Sequence, residues 1–187
     1  MEKIWERVLR IIKLDKTVFT EVEHDESATA EALIIVLVTG FLSAIGQGIS
    51  SDTGFFGAFI GSFISSILIS WILWSLLTLW IGTNVFGGEA DLGEMLRVIG
   101  YATAPRLLGF FSFIPCVGWI VALAGAILSL VAAFFAIREG LDLDDTKAIA
   151  TAIIGWVIAF VIQLVITALF AGAALTVGTI FGALTGR

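Results

Sequence analysis

The strongest constraint on this 187-residue chain is that four long stretches contain no Asp, Glu, Lys or Arg. These stretches are 32–51, 53–88, 107–137 and 148–186. A helix that crosses the ~30 Å hydrocarbon layer of a bilayer needs about 20 apolar residues at ~1.5 Å each. Charged residues make up 14% of the chain, whereas a soluble domain has about 25%. The sequence therefore predicts a polytopic membrane protein and excludes an ordinary soluble enzyme.

We predict an all-α bundle of about five transmembrane helices behind an N-terminal segment, residues 1–27, that carries an amphipathic interfacial helix and an acidic neck. The membrane part, 28–187, has expected spans at about 28–50, 55–81, 92–113, 117–138 and 147–171, and a Gly-rich tail at 172–187. Asp91 and Glu94 form a capping-box pattern at the start of the third span. Pro115 ends it. Gly172 and Gly178 are expected breaks, and a sixth short helix in the tail stays open.

The first residues are patterned as an amphipathic helix. Its apolar face carries Ile4, Trp5, Val8, Leu9, Ile11 and Ile12, and its basic side carries Lys3, Arg7, Arg10 and Lys13. Such a helix can lie on an anionic membrane surface, with lipid as its partner. It can equally pack on the ends of the spans, and the pattern leaves both interpretations open. The charged start predicts no cleavable signal peptide.

The placement of Lys and Arg orients the bundle. With the N-terminus inside, the inner side carries Lys3, Arg7, Arg10, Lys13, Lys16, Arg97, Arg138 and Lys147, and the outer side carries only Arg187. Since basic loops stay on the cytoplasmic side, we expect a cytoplasmic N-terminus. The net charge of −6 argues against a nucleic-acid partner.

The neck after the first helix is acidic and contains the single histidine of the chain. Its candidate metal ligands are Glu21, Glu23, His24, Asp25 and Glu26. Carboxylates and an imidazole so close together suit a divalent cation, but their spacing matches no EF-hand loop or zinc pattern. A solvated charged surface is the more common explanation of such a run. We therefore predict no metal site and no cofactor.

Arg106 is expected inside the third span. A charged group there costs at least ~2.5 kcal/mol, so it needs a partner or water. We predict an ion pair with Glu31, at the start of the first span, or with another acid of the neck. The alternative is that Arg106 faces a water-filled cavity and binds an anionic solute.

Small residues recur every four positions in the spans, as in Gly57, Gly61 and Ser65. Such ladders let helices approach closely in lipid. They are interpreted mainly as packing seams within the chain, with self-association as the alternative.

The spans contain no embedded Asp, Glu or His of the kind that pumps and intramembrane proteases use, and no nucleotide or zincin motif occurs. The sequence therefore predicts no catalytic residues.

Residues 100–105, GYATAP, match a G-Y-x-x-x-P motif and resemble the Yip1-domain family of five-span membrane proteins. The preceding run DLGEMLRVIG and the neck VFTEVEHDESATAEAL are similar to its prokaryotic branch, which implies a prokaryotic cell membrane. The D-L-Y-G-P motif of the eukaryotic members is absent. Those members are associated with Rab-type GTPases and vesicle traffic, whereas prokaryotic relatives have no established activity.

The resemblance implies a non-enzymatic adaptor or membrane-organising protein that associates with itself or with another membrane protein. Gly100, Tyr101, Pro105 and Arg106 are interpreted as a hinge, because proline breaks a helix and frees a carbonyl. A structural kink is the other interpretation of these residues. The alternative function is a small channel or transporter for an ion or anionic solute, using Arg106 and the helix break at Pro105. A lipid-handling role rests on the N-terminal helix alone.

Overall fold

A computed structural model of the chain describes residues 2–49, 51, 54–113 and 118–185, and these residues contain helices and no strand. The helices are α1 (Glu2–Ile12), α2 (Thr17–Glu23), α3 (Ala28–Ile49), α4 (Phe55–Ile67), α5 (Trp74–Asn84), α6 (Leu92–Ala102), α7 (Gly118–Glu139) and α8 (Asp145–Thr185). A π-helical segment, Leu68–Leu73, joins α4 to α5, and a 3₁₀ segment, Ala104–Phe113, follows α6. The predicted all-α class is confirmed.

Four described helical stretches are long and apolar enough to cross a membrane. They are Ala28–Ile49, Phe55–Asn84, Gly118–Glu139 and Asp145–Ala168. The third predicted span, 92–113, is instead divided at Thr103 into α6 and the 3₁₀ segment. The Thr103 side chain closes α6 by donating its hydroxyl to the carbonyl of Gly100, with Oγ1 and O 2.7 Å apart. Proline lacks an N–H and its ring clashes with the carbonyl four residues back, so Pro105 prevents α6 from continuing as an α-helix.

The ends of two elements test the sequence-based boundaries. Asp91 is the N-cap of α6, and its side chain accepts from the Glu94 N–H at 2.8 Å while the Asp91 N–H donates to Glu94 at 2.6 Å. The capping box is therefore confirmed. The expected breaks at Gly172 and Gly178 are wrong, since α8 continues to Thr185. Glycine alone does not end a helix in lipid, where each backbone group needs an intrahelical partner. Pro115 lies outside the described residues.

The apolar core gathers at one end of the bundle, where α1 and α2 cross the ends of α3, α6 and α7. We call this the charged end, because most Asp, Glu, Lys and Arg residues lie there. Phe19 and Val22 of α2 pack with Val98 of α6 and Ile137 of α7, and all four are buried. Farther along the spans, many large apolar side chains are exposed, as a bilayer-facing surface requires.

Candidate functional site

One arginine organises the charged end. The guanidinium of Arg7 donates to Glu21 Oε1 at 2.9 Å, to Glu31 Oε2 at 2.7 Å and to Asp25 Oδ2 at 2.7 Å. Its side chain is only 2% exposed. The three carboxylates come from α2, from the turn after it and from the first turn of α3. The planar guanidinium of Arg7 therefore links α1 to both following helices through hydrogen bonds.

Tyr101 completes this group from α6. Its hydroxyl donates to Glu31 Oε2, and its ring centroid lies 5.9 Å from the Arg7 guanidinium carbon, within cation–π distance. Tyr101 is fully buried. Together Arg7, Glu21, Asp25, Glu31 and Tyr101 form what we call the Arg7 cluster. The cluster brings the tyrosine of the G-Y-x-x-x-P motif into contact with the acidic neck.

Hydrogen bonds within the Arg7 cluster keep Arg7 and Asp25 charged. Burial lowers the pKa of Arg7, but hydrogen bonds with Asp25, Tyr101, Glu21 and Glu31 outweigh burial and raise that pKa above its usual range. Hydrogen bonds from Lys3, Ser27 and Arg7 hold the pKa of the Asp25 carboxyl well below its usual range. Both groups therefore keep their charge across the physiological pH range.

The expected ion pair between Glu31 and Arg106 is wrong, because Glu31 pairs with Arg7 at 2.7 Å. Arg106 instead lines a cavity together with Ser43 of α3. Ser43 lies twelve residues beyond Glu31 on the same helix, which corresponds to about 18 Å along the axis. Arg106 thus lies on the side of Glu31 that faces the spans, although its 3₁₀ segment begins three residues after Tyr101. In the part of the chain that the structure describes, its guanidinium has no ion pair.

The cavity beside Arg106 has a volume of about 620 Å³. Its polar lining consists of Arg106, Ser43, Ser70, Ser129 and Gln163, and the rest is apolar, including Trp74 and Trp156. No Asp or Glu is among the described residues of this lining. The cavity is therefore electropositive, and its polar groups suit an anion.

Gly100 of the motif lies where α6 approaches α3 most closely. A Cβ atom at this position would lie 2.8 Å from Ala32 Cβ and 3.1 Å from Trp71 Nε1. The Trp71 indole, in the π-helical segment, donates to the Leu96 carbonyl at 2.9 Å. Gly100 thus permits a close helix crossing. The hinge role of Gly100, Tyr101, Pro105 and Arg106 stays a prediction, and the structure places the first three in packed surroundings and Arg106 on the cavity.

The candidate metal ligands of the neck are spread over different environments. Glu21 and Asp25 bind Arg7, whereas His24 and Glu26 are exposed and Glu23 is buried on the opposite side of α2. Among the described residues, no three side chains of His, Cys, Asp or Glu come together as a metal ion would require. Two of the four candidate carboxylates, Glu21 and Asp25, are thus already bound to arginine.

Glu23 faces a second group of acids. Burial of Glu23, together with the negative charges of Asp142, Glu94 and Glu139, raises the pKa of its carboxyl to about 7, although nearby His24 opposes this shift. Arg97 lies beside it but donates to the Glu23 backbone carbonyl, at 2.6 and 3.1 Å, rather than to the carboxylate. Glu23 is therefore a titratable group whose ion-pair partner is His24, 4.0 Å away and charged only when it is protonated.

We expect stability to fall as the pH rises from about 4.5 to 7, because native Glu23 keeps a proton that the unfolded chain has released. Glu23→Gln removes this dependence and raises stability above pH 7 by roughly 2 kcal/mol. Unfolding in mixed micelles, followed by circular dichroism between pH 4.5 and 8.5, measures the effect. Glu26→Gln is the control because Glu26 is exposed. Equal pH profiles for wild type and Glu23→Gln would contradict the prediction.

The sequence places Arg7 on the basic side of the first helix and does not predict that it is the buried centre of the Arg7 cluster. A signal was present, because Arg7 is three residues after Ile4 and four before Ile11. Residues at those spacings share a helix face, so Arg7 borders the side that became buried. Arg97 donates to the Glu23 carbonyl, and no sequence pattern predicts this contact.

These features define a polytopic helical membrane protein whose charged end is covered by two short helices and whose spans border a cavity that contains Arg106. The Yip1 domain matches residues 15–169, and the chain belongs to the Yip1 family. No curated protein and no solved structure matches the chain.

Proposed function

We propose that this Yip1-family protein is a non-enzymatic membrane adaptor that acts by helix-mediated association, first of all with a second copy of itself. The observation that carries the proposal is an open small-residue face on α4. No described residue lies within 4 Å of a Cβ built at Gly57 or Gly61. Two glycines four residues apart allow the backbone of another helix to come close.

The rest of α4 supports this assignment. None of its residues is buried, and only 6% of the most apolar part of Phe55–Asn84 is buried, against 39% for α3. The contact between α3 and α4 uses different residues. A Cβ at Gly48 of α3 would lie 2.7 Å from the Phe55 ring. Gly48 and Phe55 therefore belong to the contact between α3 and α4. Among the residues that the structure describes, none covers Gly57 or Gly61, and this face is therefore proposed as the partner site.

The exposed side of α1 supports contact with lipid. Val8 and Ile11 are buried against the bundle, whereas Trp5 and Leu9 are exposed. The two interpretations of this helix are therefore compatible, because one apolar side packs inward and the adjoining side is free to enter the membrane interface. A cytoplasmic N-terminus and a prokaryotic cell membrane are part of the proposal and stay predictions.

Association through α4 is tested by energy transfer between labelled copies in liposomes, as a function of the protein-to-lipid ratio. We expect Gly57→Ile and Gly61→Ile to weaken dimerisation about tenfold, because the branched side chain separates the helix backbones. Gly46→Ile on α3 is the matched control, since Gly46 also has no described neighbour within 4 Å. Wild-type energy transfer in both α4 variants, or equal loss in the Gly46 variant, would refute self-association through this face.

A small carrier or channel for an anionic solute is the second candidate function, and the Arg106 cavity favours it. Its test is the flux of anions into liposomes. Flux that is present in wild type and lost in Arg106→Gln would favour transport, and no flux above that of empty liposomes would reject it.

A further inference from the structure

We propose that the Arg106 cavity is a binding site for a phosphate group, carried either by a membrane lipid or by free phosphate. This inference goes beyond the adaptor function and requires neither association nor transport. Its starting point is a charge inside the membrane. Ser70, which lines the cavity beside Arg106, lies at the middle of the span Phe55–Asn84. Arg106 is therefore near mid-depth, where a charged group needs a counter-ion.

The chain has few acidic residues that could neutralise the charge of Arg106. Between Glu31 and Glu89 the sequence contains one acid, Asp52, and it contains none after Asp145. Asp52 lies outside the described residues. Within those residues the guanidinium of Arg106 makes no hydrogen bond or ion pair. An anion from outside the chain would supply the missing charge.

The polar lining is suited to an oxyanion. Guanidinium binds phosphate oxygens through paired N–H groups, and the hydroxyls of Ser43 and Ser70 and the amide of Gln163 add further donors. Ser129 also lines the cavity, but its hydroxyl oxygen is enclosed by the protein, so it is not counted among these donors.

The remainder of the cavity points to a lipid as one source of the phosphate. Its volume of about 620 Å³ is within the roughly 300–1,000 Å³ typical of ligand sites. Leu130, Trp156 and Phe160 lie on its wall and are 73%, 61% and 51% exposed. Since these residues belong to spans, the cavity opens sideways toward the bilayer. An acyl chain could contact this wall while the phosphate reaches Arg106.

The experiment measures binding to the full-length protein in detergent micelles by isothermal titration calorimetry. The probes are dioctanoyl phosphatidic acid, inorganic phosphate and dioctanoylglycerol, which lacks the phosphate. We expect saturable binding of the phosphatidic acid and none of the dioctanoylglycerol. Arg106→Gln should raise the Kd for the phosphatidic acid at least tenfold, and Arg106→Lys, which keeps the charge, less than that. Lys147→Gln is the matched control, because it removes one exposed positive charge at the charged end and lies outside α1.

The outcomes separate the two sources. Binding of phosphatidic acid alone identifies a lipid site, whereas binding of inorganic phosphate that is also lost in Arg106→Gln identifies a free-anion site. An unchanged Kd in Arg106→Gln, or an equal loss in Lys147→Gln, would overturn the proposal. If Arg106→Gln fails to fold, Ser70→Ala keeps the charge and removes one hydroxyl from the cavity. A two- to fivefold weaker affinity is then expected, and an unchanged affinity would contradict the site.

Discussion

Replacing Arg7 by alanine is expected to lower the free energy of unfolding by about 3–5 kcal/mol, the usual cost of removing one partner from a buried ionic group. The substitution leaves the carboxylates of Glu21, Asp25 and Glu31 close together without their shared cation. It also removes the cation from the face of Tyr101. Reversible unfolding in mixed micelles, followed by circular dichroism, measures the loss.

Two further variants make the Arg7 prediction specific. Arg7→Lys keeps the charge but replaces the planar fork by a single ammonium group, so we expect it to recover only part of the lost stability. Arg10→Ala is the control, since Arg10 binds Asp15 and Glu21 in a more exposed setting and should cost about 1 kcal/mol or less. Equal destabilisation by Arg7→Ala and Arg10→Ala would show that the Arg7 cluster does not stabilise the fold.

Gly100→Leu is expected to destabilise the protein by about 3 kcal/mol through overpacking. Even the first carbon of the new side chain would lie 2.8 Å from Ala32 Cβ, so α3 and α6 must separate. The Trp71 indole, whose hydrogen bond to Leu96 crosses the same region, would be displaced as well. The same unfolding measurement reports the effect.

A paired substitution distinguishes this steric cause from a general intolerance of change. Gly100→Ala should be destabilising, and adding Ala32→Gly should restore part of the stability, because the two methyl carbons compete for one space. Gly46→Leu is expected to be close to neutral, since no described residue lies within 4 Å of its Cβ. Failure of Ala32→Gly to compensate would argue against the close crossing.

Features set by local chemistry could be predicted from the sequence. The long charge-free stretches located α3 and the helix that begins at Phe55, and the Asp91–Glu94 pair located the start of α6, because hydropathy and capping act over a few residues. The division at Thr103 was harder to predict. Pro105 indicated that a helix breaks in this region. The exact end of α6 depends on the Thr103 side chain, which donates its hydroxyl to the Gly100 carbonyl.

The candidate site was less predictable because it depends on depth along neighbouring helices. The need of a charge within a span for an opposite charge predicts a pair of Glu31 and Arg106. The fold instead places Arg7 at the start of α3, where its guanidinium lies 2.7 Å from the Glu31 carboxylate. Which acid pairs with which base depends on how far each helix is shifted along its neighbours in the fold. No local pattern in a single sequence indicates that shift. The cavity beside Arg106 arises from the same register.

The Arg7 cluster also has a consequence for biosynthesis. α1 leaves the ribosome before α3 and α6, so its anchors Glu31 and Tyr101 are translated later. At the usual ~5–20 residues per second, several seconds separate the appearance of Arg7 from that of Tyr101. During this interval Arg7 lacks its contacts with α3 and α6. The helix made before these two is thus fixed in place only after both have been made, and its docking follows the assembly of α3 with α6.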